Sequence, residues 1–134
     1  MRLRHRSAVA VALLLAATTA AGCAAQPRTI TIGIRHSAFD PTEIAVPRGV
    51  AVTFVFLNED PIDHEWLIGD ERFHDAHRLG THATHEDVPT EVTIPALGRA
   101  TTTLTFEEPG TLEYICHLPA HEAYGMVGTL IVEG

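Results

Sequence analysis

The sequence predicts an all-β domain, a sandwich or a barrel of about eight short strands, and three observations carry that prediction. Short runs rich in β-branched and aromatic residues recur along the chain, turn chemistry separates them, and no long helical pattern interrupts them. In order, Thr29–Ile34 alternates, with Ile30, Ile32 and Ile34 on one face. Ile44–Val46 ends at the turn signal Pro47-Arg48-Gly49, and Val50–Leu57 follows as a strongly β-prone run. His64–Ile68, Val92–Ile94, Thr101–Phe106, Thr111–Ile115 and Thr129–Val132 complete the set, with Glu108-Pro109-Gly110 as a turn between two of them. The 134 residues make one domain, large enough to bury a core without disulfides. Residues Gly69–Pro89 break the rhythm as a polar, His-rich loop, in which Asp70–Leu79 is suited to a helical turn or two.

The N-terminus reads as an export signal. Arg2, Arg4 and Arg6 precede an uncharged run, Ser7–Ala21, that is short for a membrane span. The small residues Ala20-Ala21-Gly22 before Cys23 resemble a bacterial lipobox, although Leu is usual where Ala20 stands. The expected organisation is a lipoprotein-type signal peptide at 1–22, lipidation of Cys23 and a linker at 23–28. The domain then occupies 29–134, held close to the membrane surface by the lipid. Ordinary cleavage near Ala25, leaving a soluble exported protein, is the alternative.

Charge and cysteine use narrow the function. The chain has no Lys, and removing the three arginines of the signal takes the formal charge from −8 to −11. A surface so acidic repels nucleic acid and anionic lipid and steers toward a basic-faced partner. After Cys23 only Cys116 remains. A lone thiol in an oxidising compartment is open to damage unless something occupies it, and a metal ion does so.

Cys116, His121 and Met126 stand at Cys-x4-His-x4-Met between two strands. Copper cycling between +1 and +2 is served by one soft thiolate, borderline imidazoles and a weak thioether. One loop supplies three of these groups. His64, after the Val50–Leu57 strand and the polar run Asn58–Asp63, is the natural fourth.

With these residues in view, the mature chain resembles the cupredoxins, the plastocyanin–azurin family of blue copper proteins. The resemblance rests on the Pro47-x-Gly49 turn, the strand leading to His64, Pro109-Gly110-x-x-x-Tyr114-x-Cys116, and the closing Gly125-Met126-x-Gly128-Thr129. The stretch His64-Glu65-Trp66-Leu67-Ile68-Gly69-Asp70 looks more like bacterial cupredoxins linked to copper tolerance than like photosynthetic carriers. The family implies a Greek-key β-sandwich with one type 1 copper ion. His64, Cys116 and His121 would be equatorial ligands and Met126 a longer axial one. It further implies that a redox partner docks at an apolar patch beside His121, which Pro119, Ala120, Ala123 and Tyr124 would supply here.

Two features depart from the family pattern. Glu65 and His117 stand where Asn and Thr or Ser usually tie the ligand loops together. The expectation is that their side chains meet above the copper site, replacing that tether and raising the His117 pKa. His74, His77, His82 and His85 form two i, i+3 pairs, a pattern suited to an auxiliary Cu or Zn site. The sequence thus favours an exported one-electron copper carrier, with copper tolerance or trafficking as the alternative. An enzyme is not expected: a multicopper oxidase needs further His clusters, and a binuclear centre needs a second Cys in the loop.

Overall fold

A computed structural model describes residues 26–80 and 88–134; the signal segment with Cys23, and His82 and His85, lie outside the described residues. The described chain forms nine strands and one helix: β1 (Arg28–Arg35), β2 (Ala38–Asp40), β3 (Glu43–Pro47), β4 (Ala51–Asn58), β5 (His64–Gly69), α1 (Glu71–Arg78), β6 (Glu91–Ile94), β7 (Arg99–Thr105), β8 (Gly110–Ile115) and β9 (Val127–Glu133). Two sheets, ordered β2-β1-β4-β7 and β3-β9-β8-β5-β6, make a β-sandwich. The one strand beyond the expected eight is β2, whose three residues are too few to show an alternation.

Period-two patterning places the core. Val52, Phe54 and Phe56 point inward from β4, and Ile32 and Ile34 from β1, which runs parallel to it. Trp66 on β5 meets them from the other sheet, with ring centroids 5.0 Å from Phe54 and 5.1 Å from Phe56. Among the described residues no helix is long and apolar enough to cross a membrane.

The expected helical turns materialise as α1. Asp70 caps it, accepting from the Phe73 N–H at 2.8 Å, and Glu71 sits in its first turn where a negative charge is favoured.

Gly128 explains part of the closing motif. It is buried on β9 opposite Tyr114, and a Cβ there would land on the Tyr114 ring. That ring is pinned, because its hydroxyl donates to the Pro41 carbonyl at 2.7 Å. Gly128→Ala is therefore expected to destabilise the domain by about 1–3 kcal/mol, the usual cost of overpacking, read from denaturant unfolding. A change within about 0.5 kcal/mol, the range of ordinary surface substitutions, would show that the Tyr114 ring can move aside.

Candidate copper site

The register of β5 against β8 brings the two ligand segments together. Leu67 lies opposite Ile115, so Cys116, the next residue, faces the beginning of β5. The Glu65 backbone N–H donates to Cys116 Sγ at 3.3 Å. His64 begins β5 with its ring fully buried. Cys116 follows β8 and Met126 immediately precedes β9, both fully buried.

Between them the chain folds into tight turns. Ala120 and Gly125 take positive φ, and the His121 N–H reaches the Leu118 carbonyl at 3.0 Å. The Met126 carbonyl accepts from the Cys116 N–H at 3.2 Å, while its own N–H donates to the His121 carbonyl at 3.0 Å. The Met126 backbone thus bridges the other two donors of the loop.

The side chains of His64, Cys116 and His121 converge. Cys116 Sγ lies 3.1 Å from His121 Nδ1, and His121 Nδ1 lies 3.3 Å from His64 Nδ1. The donor atoms of His64, Cys116 and His121 all fall within 4.8 Å of one another, the one such group of three among the described residues. His121 alone of the three is partly exposed. Burial pushes the Cys116 thiol pKa up, opposed by the N–H groups of Glu65 and Leu118. Burial, and then the neighbouring His64 ring, push His121 down. A buried thiol beside two imidazoles, with a thioether in the same loop, is a donor set suited to copper in both oxidation states.

The surroundings of His117 correct the expected tether. Its Nε2 lies 2.9 Å from His74 Nδ1, its Nδ1 approaches Glu122 Oε2 at 3.4 Å, and its ring stacks on His77. Helix α1 packs beneath the ligand loop and takes this side chain. His74 is fully buried and donates from Nε2 to the Glu113 carbonyl at 3.1 Å, which leaves its Nδ1 to accept from His117. Arg78 completes the junction, donating to Glu122 at 2.9 and 2.6 Å. The backbone N–H of Glu65 on the Cys116 sulfur is one link between the two ligand segments.

The pKa expectation reverses as well. Burial lowers His117 to about 4, against the pull of Glu122. An imidazole held neutral in the fold favours unfolding once the unfolded chain takes up a proton. This residue therefore weakens stability as pH falls below about 6.5, where a raised pKa would have strengthened it.

Of the four histidines suggested for an auxiliary site, His82 and His85 lie outside the described residues. His74 is engaged by Glu113 and His117, and His77 donates from Nδ1 to the Phe73 carbonyl at 2.8 Å. These two make no three-donor group with other described residues.

Two sheets closing over a His–Cys–His cluster, with a Met in the same loop, define a cupredoxin. Residues 6–132 match the family model described as Cupredoxin-like domain, and the chain belongs to that family. It is 35% identical over 98 residues to the copper-resistant cuproprotein CopI of Rubrivivax gelatinosus, an alignment covering 70% of this chain and 59% of that protein. Among solved structures, reduced auracyanin from Roseiflexus castenholzii is 27% identical with a TM-score of 0.68, over 79% of this chain and 97% of that one. Auracyanin A, a "blue" copper protein from Chloroflexus aurantiacus, is 29% identical with a TM-score of 0.64, over 81% and 100%. The cofactor of this site is copper, with His64, Cys116, His121 and Met126 positioned as a type 1 centre.

Proposed function

We propose that this protein is an exported carrier of single electrons, in which His64, Cys116, His121 and Met126 would hold one copper ion. The observation that carries this reading is the convergence of three buried or half-buried donor atoms on one point. Bound copper supplies a one-electron couple. The chain's own part is to hold the ligands through the Glu65, Leu118 and Met126 backbone contacts, so that little rearranges when the charge changes.

His121 is the half-exposed edge of the cluster, and Pro119, Ala120, Ala123 and Tyr124 around it are exposed. A small apolar surface of this kind suits the weak, transient encounters of redox proteins. A net charge of −11 in the mature chain favours a basic-faced partner. Export is supported by the basic start and short apolar run, and lipid attachment at Cys23 by the small residues before it.

The relative named for copper resistance favours a second reading, copper binding for tolerance or trafficking. The chain spans 59% of that relative's length. Copper titration separates the two. A carrier binds one copper per chain, with an intense visible band, a paramagnetic signal and a reversible potential. A buffer takes up further, colourless ions as copper is added in excess.

A further inference from the structure

Asp60 lies four residues before His64, in the loop between β4 and β5, and only 7% of it is exposed. Its carboxylate collects three donors. The His36 N–H reaches Oδ1 at 2.7 Å, the Ser37 N–H reaches Oδ2 at 2.8 Å, and His64 Nε2 lies 3.0 Å from Oδ2. His36 and Ser37 take φ of 55° and 53°, which turns two successive N–H groups onto one anion.

The Asp60 backbone is held as firmly. Its N–H donates to Asn58 Oδ1 at 2.9 Å, and its carbonyl accepts from the Leu97 N–H at 2.9 Å. Asn58 in turn donates to the carbonyls of Ile62 at 2.8 Å and Pro95 at 2.9 Å. Three loops at the copper end therefore fix where this carboxylate sits.

A carboxylate only accepts, so the proton of His64 belongs on Nε2. Nδ1 is left with its lone pair, and Nδ1 is the atom that faces His121. We propose that Asp60 is a positioning residue of the copper site, selecting the metal-binding tautomer of His64 and biasing the bound ion toward its oxidised state. This rests on the copper-site reading above.

The bias has two physical sources. A carboxylate bonded to the remote nitrogen of a ligating imidazole makes that imidazole a stronger donor. A buried negative charge also favours the doubly charged ion over the singly charged one. Both act in the same direction, toward a lower reduction potential.

Asp60→Asn keeps the shape and one acceptor oxygen and removes the charge. The expected result is a coloured protein whose relative affinity for the two copper states shifts about tenfold toward the reduced one, a potential raised by ~59 mV. Asn58→Ala loosens the same loop but keeps the carboxylate, so it is expected to lose stability without that rise.

Two-bond proton–nitrogen NMR of the metal-free wild-type protein should place the His64 proton on Nε2. This measurement needs no variant and stands if Asp60→Asn does not fold. A proton found on Nδ1, or an Asp60→Asn potential that is unchanged or lowered, overturns the proposal. A wild-type protein without a copper–thiolate band would instead defeat the copper-site reading itself.

Discussion

Cys116→Ser is expected to abolish the intense visible absorption of the copper-loaded protein. The colour arises from charge transfer between a thiolate sulfur and the oxidised ion, and Cys116 is the only described cysteine. A serine hydroxyl is harder, and it does not ionise at neutral pH. Copper affinity should therefore fall by more than the roughly 10–100-fold that follows loss of an outer-shell partner. The fold should survive. Serine is close to cysteine in volume, and the Glu65 N–H at 3.3 Å and His121 Nδ1 at 3.1 Å stand ready as partners for its oxygen. The metal-free variant should then unfold within about 1 kcal/mol of the wild type, since no buried polar group is left unpaired. Optical and paramagnetic resonance spectra, with copper counted per chain, check the first expectation, and thermal unfolding of the apo form checks the second. Visible colour persisting in Cys116→Ser would mean that copper binds through another ligand set.

How much of this site the sequence reveals depends on how far apart in the chain the contacting residues lie. Cys116, His121 and Met126 share one loop, so their spacing survives folding and is readable without a structure. His64 is readable because it follows the most apolar strand after a polar run. Asp60 stands in that same run with nothing to mark it. Its role depends on the His36–Ser37 turn, 24 and 23 residues away, built from two left-handed residues of which neither is glycine. The destination of His117 was missed for a related reason. Alternation alone directs it toward Glu65, but α1 docks under the loop and places His74, 43 residues earlier, at hydrogen-bond distance. A capped helix that buries only His74, inside a polar His-rich stretch, carries only a weak signal, since solvated loop histidines have the same composition. The strands were legible wherever alternation ran long enough, as in β1 and β4, and β2 was too short.

Trp66→Ala is expected to cost about 3–5 kcal/mol, the range for truncating a large aromatic side chain in a close-packed core. Trp66 is fully buried between Phe54, Phe56 and Tyr114, two residues beyond His64 on the same inward face of β5. Its Nε1–H is the one buried side-chain polar atom without a hydrogen-bond partner among the described residues. Such an orphan donor costs about 1–3 kcal/mol, so Trp66→Phe removes a penalty together with some packing area. That substitution should therefore cost no more than about 1 kcal/mol, far less than truncation to Ala. Copper should stabilise both variants while the ligands still converge, by about 4 kcal/mol at a free concentration a thousand times Kd. Denaturant unfolding of the metal-free proteins, repeated with copper, measures all three quantities. Equal losses in Trp66→Phe and Trp66→Ala would show that the orphan N–H carries no penalty. A Trp66→Ala protein that folds but gains nothing from copper would show that the indole also holds His64 in place.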